Sequence, residues 1–495
     1  MSQKVVEFYI ETLKKYSKKL NKEKLTVLMQ VGEFFEIYGL VYPDGKREGN
    51  IWEFCDNVNL KIAEKKQDVY DNPEIKVYMG GVGISYVNPY IQKAVERFGW
   101  TVVIFEQSRI GNSGKFERCE SQIISPGINI NSESFSNITM IIYIEQSKNY
   151  MKGKSGSNIS STSTTNSNSY NIINIGVSFV DCLTGANGVM AINNSNTTDI
   201  SIPFDELLKL LTIKNPNELI IYMENCDTSN ISDEDLVNAL HLFNYQYKII
   251  REPIDDNYAK IPYQSSIFNS IYVKHRGILD ILQQLDIEGD SHNYSRISLC
   301  LLLDFIIKHD KSIIEKLERP EIVINNDKYL MLANNCLEQL DIIDNSNSNT
   351  NNTSNHSCSR RISLLDLLDN TKTALGKILL RERISMPITD SGLLIERYET
   401  IGELVELHNS YMLTKKDKYG SPLHQLRGHL SGIKNIDNYL RKIITHKIQP
   451  TDIENYINSL ANCVRVYEYV SRLGIKKADV ESSIKKLIPN ESNYT

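Results

Sequence analysis

The chain has 495 residues, of which 41% are hydrophobic, and a formal net charge of -6 at pH 7. That length suits about three domains with sizeable cores, and no run approaches the ~18 uninterrupted apolar residues that a membrane-spanning helix needs. A polar start, Met1-Ser2-Gln3-Lys4, carries no apolar signal region, and eight scattered cysteines without a Cys-x-x-Cys exclude a zinc-finger pattern and a disulfide framework and point to free thiols in a reducing intracellular compartment.

The first element is a basic amphipathic helix, with Lys14, Lys15, Lys18, Lys19, Lys22 and Lys24 opposed only by Glu11 and Glu23. Two readings fit: a solvated helix face, or a stripe for DNA phosphates inside an otherwise acidic chain. A strand over Leu25–Val31 follows and leads into Val31-Gly32-Glu33-Phe34-Phe35-Glu36-Ile37-Tyr38. On a strand Phe34 and Glu36 share a face, because side chains alternate with period two. An exposed ring beside a carboxylate suits a protein that kinks DNA: the ring enters a base step and the polar group bonds the loosened base. A half-buried strand with one exposed carboxylate is the plainer alternative. Strands over Val77–Gly81 and Thr101–Glu106, with a helix around Pro89–Arg97, complete an α/β domain over residues 1–135.

The second domain, residues 136–258, opens with a strand at Met140–Tyr143. Alternation at Ile175, Val177 and Phe179 leads through the turn Thr184-Gly185 to a returning hairpin strand, Val189–Ile192. A helix over Phe204–Leu211 and a strand over Glu218–Tyr222 follow. Residues 259–495 read as all-α. Leu394, Tyr398, Ile401 and Val405 form a helical stripe behind an N-cap at Asp390, and Ile453, Tyr456, Ile457, Leu460, Val464 and Tyr467 form a longer one. Two inserts, 153–171 and 344–360, are rich in Ser, Thr and Asn and too polar to offset ordering entropy, so both are expected to be disordered.

Several segments together resemble the MutS family of DNA mismatch-repair proteins. In the first domain these are Gly32-Glu33-Phe34-Phe35-Glu36, Met79-Gly80-Gly81-Val82, Val103-Ile104-Phe105-Glu106-Gln107 and Ser125-Pro126-Gly127. The second domain adds Val180-Asp181-Cys182-Leu183-Thr184-Gly185 and Asn215-Pro216-Asn217-Glu218-Leu219. The third adds Leu364-Leu365-Asp366-Leu367-Leu368-Asp369, Gly376-Lys377-Ile378-Leu379 and Met386-Pro387-Ile388. In its Asn-rich inserts and variant first domain the chain resembles the divergent branch found in giant viruses and coral mitochondria.

This resemblance implies a mismatch-recognition domain, a ribonuclease-H-like connector and the first part of a helical core and lever domain. It implies a partner, double-stranded DNA with mismatches or small loops, with Phe34 as intercalating wedge and Glu36 as the hydrogen-bonding partner of the displaced base. A mispaired base is already poorly stacked, so inserting a ring costs less there. Phosphate potential disfavours a carboxylate, which gives the hypothesis that Glu36 binds protonated. Lys65, Lys66 and Arg118 match basic family positions, and with Lys14 and Lys18 they are candidates for backbone contacts. After Val82 the family commonly continues Pro-Tyr-His, whereas this chain has Gly83-Ile84-Ser85.

The family's ATPase needs a glycine-rich loop ending Gly-Lys-Ser/Thr. Gly153-Lys154-Ser155 has Lys148 at the first glycine position, and Gly114-Lys115 is followed by Phe116 in place of the hydroxyl. The expectation is therefore an N-terminal portion of a longer ATPase clamp, with no catalytic residue, metal or cofactor of its own. ATP, Mg2+ and dimerisation are implied for the longer protein. Two alternatives stand beside this: a junction-clamping homologue without mismatch sensing, and a ribonuclease-H-like nuclease using Asp181 with Glu218 or Glu224.

Overall fold

A computed structural model describes residues 3–20, 22–65, 74–109, 116–129, 137–150, 169–193, 201–226, 231–272, 293–314, 317, 319–322, 329–330, 336–343, 362–414 and 421–473. Most of both polar inserts, and both Gly-Lys sequences, lie outside these residues, although Ser169–Asn171 of the first insert already belong to a strand. Among the described residues no helix is long and apolar enough to cross a membrane.

Helix α1 (Gln3–Leu20) buries Val5, Val6, Tyr9, Ile10, Leu13, Tyr16 and Leu20, the three- and four-residue spacing of an amphipathic helix. It crosses a seven-stranded sheet built from β1 (Leu25–Val31), β2 (Phe34–Val41), β3 (Arg47–Glu48), β4 (Ile62–Glu64), β5 (Lys76–Gly83), β6 (Thr101–Arg109) and β7 (Phe116–Ile124). The order is β4-β5-β2-β1-β6-β7, with β3 on β2. Tyr9 meets Tyr38 of β2 edge-on with ring centroids 5.3 Å apart, and Tyr16 meets Phe105 of β6 at 5.8 Å. Helices α2 (Ile51–Val58) and α3 (Val87–Gln92) complete this layer, with Phe54 of α2 against the fully buried Trp100. Pro89 sits in the first turn of α3, where its missing N–H has no partner to lose.

A second, six-stranded sheet contains β8 (Ile138–Tyr150), β9 (Ser169–Asp181), β10 (Asn187–Asn193), β11 (Glu218–Glu224), β12 (Tyr247–Ile250) and β13 (Glu321–Ile322) in the order β12-β11-β8-β9-β10-β13. β8, β9 and β10 run antiparallel, and β11 runs parallel to β8 and β12, the ribonuclease-H-like arrangement. Helices α4 (Ser201–Lys214), α5 (Asp233–Ala239), α6 (Ile261–Ile271) and α7 (Asn293–His309) lie between β10 and β13 in the chain.

The second sheet's core also takes in elements beyond residue 258. The α7 residues Leu299, Leu302, Leu303 and Ile306 bury in one core with Ile141 of β8, Val180 of β9 and Ile220 of β11. Ser298 locks this packing, donating its hydroxyl to the Ile141 carbonyl at 2.8 Å and lying 2.8 Å from the Ser178 hydroxyl. β13 pairs with β10 beyond α7, so the stretch after Tyr258 is not purely helical. Helical periodicity identified the element; a sheet rather than other helices takes up its apolar face. The chain divides into two compact units after Val323, with Leu208–Ile213 grouped with the second.

Within the second unit the expected elements form. Asp390 accepts from the backbone N–H groups of Gly392 and Leu393 at 2.8 and 3.3 Å, capping the helix Ser391–Thr414. Ser363 and Asp366 form a capping box at the helix Leu364–Leu368. Helices Pro422–Ser431 and Ile436–Ile444 pack on Pro450–Leu473, with Tyr439 edge-on to Tyr456. Tyr398, Ile401 and Val405 of one stripe and Ile453, Ile457 and Val464 of the other are exposed.

In the first unit, a buried ion pair joins the two sheets. Lys22, just past α1, binds Glu218 at the start of β11, and the Glu218 carboxylate also accepts from the Ser125 hydroxyl at 2.7 Å and the Gly127 N–H at 3.0 Å. Burial opposes ionisation of Glu218, yet Lys22, His309 and these hydrogen bonds outweigh it and hold its pKa below the usual range. A side chain on Gly127 would begin 2.2 Å from the Thr139 hydroxyl and 2.7 Å from the Glu218 Cβ, so only glycine permits this approach.

Removing one partner strands a buried charge. Glu218→Ala is expected to destabilise the first unit by about 3–5 kcal/mol, whereas Lys22→Met with Glu218→Leu recovers most of that loss. Both tryptophans, Trp52 and Trp100, lie in the first sheet layer, so their fluorescence during urea unfolding reports this unit. An equal loss in the single and double variants would sink the claim. His309 adds a pH dependence. Burial first, then the Lys22 charge, pushes its imidazole from 6.5 down to about 4. Between those values the unfolded chain binds the extra proton, so stability falls as pH drops through that window. The same unfolding measured at pH 7 and pH 4.5 should show a decline that His309→Gln flattens.

Candidate nucleic-acid interface

β1 and β2 are joined by two residues, Gly32 and Glu33, with Val31 directly opposite Phe34. Gly32 has φ +62°, the left-handed conformation that a tight hairpin turn demands at its first central position. The alternation beyond the turn follows the sequence reading. Phe34 is 51% exposed, Phe35 is buried in the core, and Glu36 shares the Phe34 face with partial exposure.

The neighbouring strand leaves that face open. Phe34 pairs with Gly83 and Glu36 with Gly81, so β5 raises no side chain beside either residue. Across those glycines Lys65, which follows β4, brings its ammonium to 3.3 Å from the Glu36 carboxylate and 5.1 Å above the Tyr38 ring. The Tyr38 hydroxyl also donates to Glu36. Burial first, then that carboxylate, raises the Tyr38 phenol far above its ordinary pKa, so it is a permanent donor here. In this arrangement Glu36 accepts from both neighbours.

The tip is braced from two sides. On the β6 side, Gln107 accepts from the Gly32 N–H at 3.3 Å, its own N–H donates to the Gln30 side chain at 2.8 Å, and Gln30 donates to the Gly32 carbonyl at 3.2 Å. Arg118 of β7 donates to the Gln30 carbonyl at 3.3 Å and is close enough to favour ionisation of Tyr38 electrostatically. On the β5 side, the Ile84 N–H donates to the Glu33 carbonyl at 3.0 Å. These contacts restrict a hairpin end that would otherwise fray.

Lys65 and Arg118 are therefore gathered around Phe34 and Glu36. Lys14 is not: it forms an ion pair with Glu48 at 2.6 Å, and Glu48 pairs with Leu40 near the far end of β2, about 20 Å from Phe34 along the strand. Lys18 is exposed on α1, Lys66 lies outside the described residues, and Lys22 is engaged by Glu218. The basic run on α1 thus divides into separate local roles.

The three carboxylates that could have served nuclease chemistry do not converge. Asp181 caps its own turn, accepting from the N–H groups of Asn137 and Leu183 at 3.1 and 2.9 Å and from the Thr184 hydroxyl at 3.1 Å. Glu218 is held by Lys22, and Glu224, at the opposite end of β11, accepts from Tyr143 at 2.5 Å.

The sequence did not single out Gln30, Tyr38, Gln107 and Ile84. Tyr38 was detectable as the next residue on the Glu36 face, and Gln107 ends a family-like motif, but nothing local shows that β6 returns beside β1. Removing the Gln107 brace is expected to speed hydrogen exchange at the Gly32 amide on the order of tenfold, since a net hydrogen bond is worth about 1 kcal/mol. Gln107→Ala with an unchanged Gly32 rate would show that the turn holds itself.

Residues 335–494 match the family model for MutS domain III. Over 506 aligned residues the chain is 26% identical to a mutS homolog of Acanthamoeba polyphaga mimivirus, covering 98% of this chain and 40% of that protein. It is 24% identical over 439 residues to the DNA mismatch repair protein MutS of Clostridioides difficile strain 630, covering 85% of the chain and 38% of the relative. Over 336 residues it is 24% identical to the mitochondrial DNA mismatch repair protein mutS homolog of Sarcophyton glaucum, covering 63% and 30%. The chain spans two-fifths or less of the length of these relatives. The helical region thus matches MutS domain III, and the chain as a whole, with two α/β layers before that region, is similar to MutS homologues along most of its length.

Proposed function

We propose that this chain binds duplex DNA through the β1–β2 tip and senses mispaired steps by inserting Phe34. One observation carries the reading: Phe34 is half-exposed on a braced hairpin, beside Glu36 and opposite strand positions that carry no side chain. A flexible exposed ring would lose conformational entropy on insertion; a ring on a held turn has less to lose. Discrimination comes from the energy of opening a base step, which is lower where pairing is already imperfect.

Lys65 gives Glu36 a way to change role. In the free chain its ammonium lies on the carboxylate. As a phosphate approaches, Lys65 can turn to it and leave Glu36 with the Tyr38 hydroxyl alone, in a field that favours the neutral acid. The neutral acid then donates to a base nitrogen. Lys65 and Arg118 set affinity without specifying the step. In this reading ATP, Mg2+ and dimerisation belong to the longer family protein, and wedge insertion by this chain requires none of them.

A salt-controlled titration on a G·T duplex and its matched control tests the wedge. Phe34→Ala should remove the preference for the mismatch, a loss of about tenfold or more, and leave weak matched binding intact. Glu36→Gln, which retains a donor, should stay within about threefold of the parent chain; a far larger loss would overturn the protonated role. Lys65→Ala or Arg118→Ala should weaken both duplexes alike and lower the salt slope by about one each. Equal binding of both duplexes by the unaltered chain would favour a clamping surface without mismatch sensing.

A further inference from the structure

Beside Phe34 stands a second exposed aromatic side chain. β5 ends at Gly83, directly opposite Phe34, and the chain continues through Ile84 and Ser85 to Tyr86 before α3 begins. A side chain on Gly83 would point to the same face as Phe34, at the ~4.5–5.5 Å Cβ spacing of directly opposed residues. The space where it would begin lies 3.6 Å from Cδ2 of Tyr86. The Tyr86 ring therefore covers the bare backbone of Gly83 and stands next to the wedge.

Tyr86 is 73% exposed and Ile84 41% exposed. Phe34, Ile84 and Tyr86 are thus three exposed apolar side chains on neighbouring segments at the tip of the sheet, where Lys65 reaches Glu36 and Arg118 reaches Gln30. Ile84 is tied to the hairpin by its hydrogen bond to Glu33, so the two aromatic positions share one brace. This is the stretch where Gly83-Ile84-Ser85 replaces the family's usual Pro-Tyr-His. With no side chain at Gly83, the Tyr86 ring approaches that backbone.

We propose that Tyr86 is a second DNA-contacting residue, which packs its ring on the sugar and base edge of the nucleotide next to the step that Phe34 enters. This rests on the wedge reading of the same site. An aromatic ring with a hydroxyl suits that position: its face covers deoxyribose carbons and base edge, and its hydroxyl meets an oxygen of the backbone. Once Phe34 has bent the duplex, the opened groove brings more nucleotide surface to the protein. In unbent duplex the ring touches little, so its contribution belongs to mismatched complexes.

The test uses the 495-residue chain with Tyr86→Ala, Tyr86→Phe, Phe34→Ala and the double alanine variant, on mismatched and matched duplexes at fixed salt. Tyr86→Ala should lower mismatch affinity about tenfold, in the range of one lost base–aromatic contact, with less than about twofold change on matched duplex. Tyr86→Phe should restore most of the loss. The double variant should bind mismatch no worse than Phe34→Ala alone, because Tyr86 acts only on bent DNA. Tryptophan fluorescence on urea unfolding should be unchanged by Tyr86→Ala, which separates a contact from a folding defect. Parent-like mismatch binding by Tyr86→Ala, or an equal loss on both duplexes, would overturn the proposal. If discrimination survives Phe34→Ala yet falls with Tyr86→Ala, Tyr86 stands as the contact and the wedge fails, so the two failures are separable.

Discussion

The carboxylate of Glu218 sits where water does not reach it, and that constraint organises the first unit. An isolated buried charge is strongly unfavourable, so the fold must bring a cation and donors to it. Lys22 comes from the end of α1, Ser125 and Gly127 from the link after β7, and His309 from the end of α7. Four chain segments distant in sequence meet at one carboxylate. His309 is held neutral beside them, with Nδ1 2.8 Å from the Phe305 carbonyl oxygen.

From this junction the first sheet extends to the β1–β2 tip. α1 has one apolar face on β2 and β6, through Tyr9 and Tyr16, and this packing holds β1 and β2 beside the parallel strand β6. Only because β6 lies next to β1 does Gln107 reach the turn at Gly32. The placement of the aromatic tip therefore depends on a long-range strand pairing rather than on the hairpin alone. A two-stranded hairpin in water is marginal; a third strand that bonds its turn makes it a fixed support.

Charge is used locally. The lysines of α1 read as one basic face, but Lys14 is spent on Glu48 and Lys22 on Glu218. Lys65, a less conspicuous residue in the sequence, reaches across two glycines to Glu36. A count of like charges along a helix thus says little about which of them meets a ligand. Their partners come from other strands, and Coulomb energy at contact distance in a partly buried site exceeds that of scattered surface charges.

The sequence by itself determined many of the elements and disclosed a family resemblance. Period-two alternation placed Phe34 and Glu36 on one face, Thr184-Gly185 marked a hairpin turn, and Asp390 marked a helix start, because each depends only on residues a few positions apart. The ordered motifs disclosed the MutS resemblance for the same reason: each is a local string. Tertiary structure alone decided which residues meet. It assigned α7 to a sheet instead of a helical bundle, gave Ser125 and Gly127 their carboxylate, set Lys65 and Tyr38 on Glu36, and brought Tyr86 to Gly83, the strand partner of Phe34. These contacts follow from strand order and register, and periodicity along one segment carries no information about which other segment will lie next to it.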